Sequence, residues 1–146
     1  MAHKRNTISF RERNLKTIIN YVKSNMQNQI TSEEIKLAAV KQDGLAIQFI
    51  NNPSEEVQLA AVNRNVRAFE FIKNPSEEIK LVAVEKDPSL IKVMLNPSEA
   101  IQLAAVKRDG YNIIEYLYKT GIIPSKKVQL AAVQIHGTAI KFMSDL

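Results

Sequence analysis

The stretch PSEEVQLAAVNRNVRAFEFIKN, residues 53–74, decides the architecture of the chain, because close copies of it fill most of the sequence on either side. The copies begin at residues 31, 53, 75, 97 and 124, which gives three steps of 22 residues and one of 27. A fixed period of this length is typical of a solenoid, in which each unit stacks on its neighbours because it cannot bury its apolar face alone. The sequence therefore predicts a tandem-repeat protein.

Two apolar positions are the same in all five copies and are expected to form the core. One position is always leucine and the other always valine. The leucines are Leu37, Leu59, Leu81, Leu103 and Leu130, and the valines are Val40, Val62, Val84, Val106 and Val133. Small residues, mostly an alanine pair, lie between these two positions, which allows helices to pack closely.

Each copy carries start and stop signals for two short helices. Thr31 and Glu34 form a capping-box pattern, and later copies carry Asn before Pro with Glu three residues after the Asn, at Asn52, Asn74 and Asn96. The first helix is expected to end at the Asp-Gly or His-Gly pairs of residues 43–44, 109–110 and 136–137, with left-handed glycine, or at Asp87-Pro88. The remaining apolar residues predict a second helix of one or two turns, either α or 3₁₀.

These patterns predict an all-α protein, a right-handed α-solenoid of five helix-turn-helix repeats of about 22 residues. The repeats span residues 31–52, 53–74, 75–96, 97–123 and 124–146. Residues 1–30 lack the repeat. The helical spacing of Leu15, Ile18, Ile19 and Val22 nevertheless predicts that this segment is an N-terminal helical cap.

The phrase LAAVKQDGLAIQFI, residues 37–50, is similar to tandem repeats of uncharacterised bacterial and phage proteins. The unit also resembles HEAT-like and leucine-rich-repeat-variant repeats, although it is shorter than the roughly 40 residues usual for HEAT repeats. The resemblance covers residues 31–146 and implies a helical solenoid with a binding role and no catalytic motif. The likeness to phage proteins further implies a host–virus interaction, in which the chain blocks or scaffolds a cellular partner.

The formal charge of +5 lies entirely in residues 1–30. Six basic side chains there face Glu12 alone, whereas residues 31–146 hold 14 basic and 14 acidic side chains. Such a segment attracts nucleic acid or an acidic protein surface, and a solvated polar cap is the alternative interpretation. The six basic residues are Lys4, Arg5, Arg11, Arg13, Lys16 and Lys23.

Charge is also sorted along the first four repeats, with glutamates in the first turn of the first helix and basic residues in its last turn, whereas the last copy carries Lys126 and Lys127 in place of the glutamates. This order complements the helix dipole. Stacking would also align the basic residues into a ridge able to follow phosphates. The ridge residues are Lys41, Arg64, Lys86 and Lys107.

The fourth copy is five residues longer than the first three, and an exception to a repeat is where a specific site is expected. Its segment YNIIEYLYKTGII, residues 111–123, extends the second helix and contains three of the four tyrosines. Tyrosine is favoured at interfaces, so a partner contact is predicted here, and packing against the last copy is the alternative. The candidate residues are Arg108, Tyr111, Tyr116, Tyr118 and Lys119.

The last copy carries apolar residues with no evident polar cap after them. Ile135 stands where earlier copies have Gln, Arg or Lys, and Phe142 and Met143 come near the end of the sequence. An uncovered apolar end favours a homodimer. Closure of the core by the last helix itself is the alternative.

Catalytic ingredients are scarce. The sequence has no cysteine and two histidines, no cluster with metal-ligand spacing and no Gly-rich phosphate loop, so we expect neither an enzyme nor a metal or cofactor. No apolar run reaches the length of a membrane span, and no signal-peptide core follows the basic N-terminus. We therefore expect a cytoplasmic protein without a membrane partner.

Two classes of function remain. The first is protein binding, through variable positions on the first helices that carry amides and mixed charge and suit a protein surface. These positions are Lys36, Gln58, Lys80, Gln102 and Gln129. The corresponding variable positions on the second helices are Gln48, Glu70 and Lys92. The second is nucleic-acid binding through the basic cap and the basic ridge.

Overall fold

The computed structural model describes residues 10–29 and 31–143, and these ranges contain helices and turns but no strand. The all-α prediction is therefore confirmed. The chain divides into two compact units, Met1–Ile35 and Lys36–Leu146. The first unit contains α1 (Phe10–Gln29) and the beginning of α2 (Ser32–Gln42). Leu15, Ile18 and Ile19 of α1 are 54%, 58% and 44% exposed.

In the second unit, α-helices of ten residues alternate with 3₁₀ helices of six. The order after α2 is η1 (Gly44–Phe49), α3 (Glu55–Arg64), η2 (Val66–Phe71), α4 (Glu77–Lys86), η3 (Pro88–Val93) and α5 (Glu99–Arg108), then α6 (Gly110–Lys119), α7 (Lys126–Ile135) and η4 (Gly137–Phe142). The second helix of the 22-residue copies is thus 3₁₀, which suits so short a segment. The longer fourth copy replaces it with the α-helix α6, in agreement with the predicted extension.

Serine rather than asparagine caps the repeated α-helices. Ser54 Oγ accepts a hydrogen bond from the Val57 N–H at 3.2 Å, and Ser76, Ser98 and Ser125 do the same in their copies. The cap expected at Asn52, Asn74 and Asn96 is therefore wrong. Asn52 and Asn96 instead have φ of 48° and 49°, a left-handed conformation that asparagine tolerates better than most residues.

The first copy follows the predicted capping box. The Thr31 N–H donates to Glu34 Oε2 at 2.6 Å, and the Glu34 N–H donates to Thr31 Oγ1 at 3.1 Å. Each side chain thus satisfies a backbone donor that the first turn of a helix leaves without a partner.

Glycine marks the junction between the two helices for a reason of packing. Among the described glycines only Gly121 has positive φ, so the left-handed conformation expected at Gly44 is wrong. A Cβ at Gly44 would lie 2.5 Å from the Ala61 carbonyl oxygen of the next copy. The junction is formed instead by Asp43, whose carboxylate accepts the Leu45 N–H at 3.0 Å.

The core runs through all the copies of the second unit. Val40, Val62, Val84 and Val106 are completely buried, as predicted, but Val133 is half-buried. The matching leucines are also half-buried, and Leu130 is 59% exposed. A row that the sequence analysis passed over is equally buried: Val57, Ile79, Ile101 and Val128. Helix α3 contacts α4, α4 contacts α5, α5 contacts α7, and η1 contacts η2, so equivalent elements pack on each other.

Candidate functional site

Two surface grooves of about 540 Å³ each open in the second unit. The first groove lies where the copies beginning at residues 31 and 53 meet, and the second lies one copy further along. The first groove is lined by Ile47, Gln48, Ile50, Asn51, Asn52, Pro53, Gln58, Phe71, Ile72, Lys73 and Asn74. The second groove is lined by Phe69, Glu70, Ile72, Lys73, Asn74, Pro75, Lys80, Val93, Met94 and Leu95.

The two grooves are made by the same positions of the repeat. Every residue that lines the second groove has its counterpart 22 residues earlier in the first. The grooves also share Ile72, Lys73 and Asn74, so they adjoin each other. Repetition of the local fold therefore produces a surface in which neighbouring grooves present equivalent geometry with different side chains.

Each groove lies between the end of a 3₁₀ helix and the turn that starts the next α-helix. Buried residues of the 3₁₀ helices, Ile47 in the first groove and Phe69 in the second, contribute apolar walls. Gln58 braces the turn of the first groove, because its Nε2 donates to the Pro53 carbonyl at 2.9 Å. The turn that lines the first groove is thus fixed by a side-chain hydrogen bond.

Exposed apolar side chains line both grooves. Phe71 in the first groove is 45% exposed, and Val93 and Leu95 in the second are 70% and 93% exposed. Phe49 has the same position in the first copy as Phe71 and Val93 have in theirs, and it is 81% exposed. Large apolar side chains left in water at a regular interval are typical of an interaction surface.

Charge in the grooves is mostly positive. Lys73 lines both grooves, and the second groove adds Lys80 and Glu70. Lys73 and Glu70 are exposed, and Lys80 is half-buried. The paired grooves therefore favour a ligand with negative charge.

The predicted surface positions of the first helices divide into two groups. Gln102 and Gln129 are 8% exposed, and their Nε2 atoms donate to the carbonyls of Pro97 and Pro124 at 2.9 Å. Their prediction as partner contacts is wrong, because burial against the proline turn removes them from the surface. Lys36, Gln58 and Lys80 are half-buried, and of these Gln58 and Lys80 line the grooves.

The residues predicted around the fourth copy do not form a single site. Tyr111 packs edge to face on Phe142, with ring centroids 5.2 Å apart, and its hydroxyl hydrogen-bonds Lys141 Nζ. Tyr116 contacts the preceding copy instead, since its hydroxyl donates to the Lys92 carbonyl at 3.3 Å. Tyr118 is half-buried, Arg108 is exposed, and exposed Lys119 forms an ion pair with Glu115 at 2.9 Å.

The predicted basic residues fall into two groups, one on α1 and one at the ends of α2 to α5. Arg13 and Lys16 are exposed on α1, whereas Lys4 and Arg5, and the side chains of Arg11 and Lys23, lie outside the described part of the chain. The ridge residues Lys41, Arg64, Lys86 and Lys107 are all exposed at the ends of α2 to α5. Arg64 also braces the stack, because its Nε donates to the Gln42 carbonyl of the preceding copy at 3.4 Å.

The predicted dimer surface is smaller than the sequence indicates. Met143 is 6% exposed and belongs to the core, so its prediction as a contact residue is wrong. Phe142 is half-buried against Tyr111. Ile135 is 46% exposed, and Ile140 nearby is 53% exposed, so these two side chains carry what remains of the prediction.

Sequence reasoning missed the apolar residues of the grooves, although a signal for them was present. Phe49, Phe71 and Val93 recur at intervals of 22 residues, and the spacing of the apolar residues around them predicted a second helix without indicating which of them are exposed. Residues 10–29 and 31–143 hold no group of three His, Cys, Asp or Glu arranged for a metal.

Comparison with protein families, with curated proteins and with solved structures finds no match for this chain. Among the described helices, none combines the length and the apolar character that crossing a membrane requires. The function must therefore be argued from the grooves themselves.

Proposed function

We propose that the chain is a non-enzymatic protein-binding module, a right-handed α-solenoid of five repeats that holds a segment of a partner protein in its two grooves. The observation that carries the proposal is the recurrence of one groove at identical repeat positions, lined by exposed apolar side chains. A solenoid presents extended binding surfaces because each repeat adds an equivalent piece.

The chemistry of the grooves supports a peptide ligand. Exposed Phe71, Val93 and Leu95 would gain about 25 cal/mol for each Å² that a partner removes from water. Asn51 and Asn74 add side-chain amides, which both donate and accept hydrogen bonds and so complement a peptide backbone. Apolar anchors surrounded by polar groups are the usual composition of a protein-binding surface.

Nucleic-acid binding is a second candidate, favoured by the exposure of the ridge residues. Lys41, Lys86 and Lys107 are exposed at the ends of stacked helices, where they offer positive charge at repeated intervals. Phosphate binding of this kind depends steeply on salt and little on sequence. It would use the ends of the α-helices and leave the grooves empty.

Affinity capture from the native host, with and without nuclease, tests the proposal. Leu95→Glu places a charge on the second groove, and Ile123→Glu is the matched control, since Ile123 is also strongly exposed, at 81%, and lies outside both grooves. We expect the wild-type chain and Ile123→Glu to retain a protein after nuclease treatment, and Leu95→Glu to lose it. If nuclease treatment removes the captured material from the wild-type chain and from both variants, the result would favour nucleic-acid binding instead.

A further inference from the structure

An aromatic side chain of the protein itself lies where the fourth copy meets the third. The Tyr116 hydroxyl donates to the Lys92 carbonyl at 3.3 Å, and Lys92 Nζ lies 5.9 Å from the centre of the Tyr116 ring. Lys92 is in the last turn of η3, and the last carbonyls of a helix have no partner within it. The phenol thus packs over the end of a 3₁₀ helix and binds one of its free carbonyls.

At the equivalent position of the two preceding junctions between copies lie the two grooves. The counterparts of Lys92 are Gln48, which lines the first groove, and Glu70, which lines the second. The counterparts of Tyr116 are Ile72 and Met94, which also line the grooves but carry no phenol. A tyrosine supplied by a partner would therefore find in each groove a backbone carbonyl at the position equivalent to the one that Tyr116 meets at the next junction.

We propose that the ligand of the paired grooves is an extended segment of a partner protein in which two tyrosines, three residues apart, flank acidic residues. One tyrosine enters each groove and donates its hydroxyl to the carbonyl of Gln48 or Glu70, as Tyr116 does to Lys92. This inference rests on the proposed protein-binding function and names the chemistry of the partner.

Charge selects acidic residues between the two tyrosines. Lys73 lies in both grooves and therefore faces the part of the ligand that joins the two rings. Lys80 adds a second positive charge in the second groove, and Glu70 is the one acidic residue among those that line the two grooves. A charge-assisted hydrogen bond from lysine to carboxylate is roughly twice as strong as a neutral one.

The spacing follows from the stacking of the copies. Packed helices lie about 8–10 Å apart, so equivalent points of adjacent copies are separated by about that distance. An extended polyproline II segment rises about 3.1 Å per residue with three residues per turn, so side chains three residues apart point the same way about 9.3 Å apart. Tyrosines at adjacent positions would be too close together to fill both grooves.

Fluorescence anisotropy with a labelled peptide tests the inference on the full chain. The probe carries Tyr-Glu-Asp-Tyr between acidic flanks, and two control peptides either replace both tyrosines by serine or place them next to each other. Lys73→Glu alters the shared lysine, and Lys127→Glu is the control at an exposed lysine outside the grooves. We expect the control peptides and Lys73→Glu each to weaken binding about tenfold or more, and Lys127→Glu to leave it unchanged.

Equal binding of the serine peptide, or equal binding by Lys73→Glu, would overturn the inference. A random peptide library selected on the full chain separates this failure from failure of the proposed function. Selected peptides that lack the tyrosine pair but lose affinity for Leu95→Glu would leave the grooves as a protein-binding site with another ligand. Selected peptides that bind Leu95→Glu and the wild-type chain equally would overturn both proposals.

Discussion

Substitution of Gly44 by alanine tests the close stacking of the first two copies. The added Cβ would lie 2.5 Å from the Ala61 carbonyl oxygen and 2.9 Å from both the backbone nitrogen and the Cβ of Asn65. These atoms belong largely to backbone, so the clash requires a shift of one copy against the other. Forcing extra volume into a packed contact costs about 1–3 kcal/mol.

Gly137→Ala supplies the matched control, because the same Cβ there would meet no heavy atom within 4 Å. Alanine restricts the unfolded chain and stabilises by about 0.4–1 kcal/mol where the native conformation tolerates it. We therefore expect the two variants to differ by about 1–4 kcal/mol in free energy of unfolding, with Gly44→Ala the less stable. Urea unfolding followed by circular dichroism measures the difference. Equal stability of the two variants would refute the close approach of Gly44 to the next copy.

Three further predictions concern caps, charge and association. Ser76→Ala should lower the free energy of unfolding by about 1 kcal/mol in the same urea assay, because the Ile79 N–H loses its acceptor. An unchanged midpoint of the urea unfolding curve would contradict the serine cap. If duplex DNA binds, replacing Lys4, Arg5, Arg11 and Arg13 by glutamine should reduce the slope of log affinity against log salt concentration by about 0.9 per lost phosphate contact. An unchanged slope would show that other residues bind the DNA. Sedimentation at micromolar concentration should reveal a dimer that Ile135→Lys dissociates, whereas a wild-type monomer would end the dimer prediction.

Local signals in the sequence predicted local features of the structure. The capping box of Thr31 and Glu34 is present because both partners lie within one turn, and no distant contact is needed to form it. Invariance among the copies predicted the burial of valines such as Val62 and Val84, but it did not predict burial at the equally invariant leucine position, where Leu130 is 59% exposed.

Features that depend on how the chain packs in three dimensions could not be predicted in this way. Gly44 was expected to be left-handed, whereas the nearby carbonyl of Ala61 excludes a side chain there. Gln102 was expected on the surface, but its amide reaches the carbonyl of Pro97 across the turn and is buried by that contact. The Gly44 contact joins two copies, whereas the Gln102 contact lies within one copy and required the geometry of its turn to be known.

The grooves were missed for a related reason. Phe71 and Val93 share the helical spacing of core residues, yet in their 3₁₀ helices they are 45% and 70% exposed. The choice between a 3₁₀ helix and an α-helix of two turns had been left open, and with it the direction of these side chains.

Hydrogen exchange in the presence of the captured partner tests the groove proposal most directly. The backbone amides of residues 47–52 and 69–74 line or adjoin the two grooves, while α1 and the last turns of α2 to α5 carry the predicted basic surfaces. Mass spectrometry of the complex should reveal slower exchange at both groove segments, 22 residues apart, and unchanged exchange in α1. Protection confined to α1 or to the ends of the α-helices would contradict binding in the grooves.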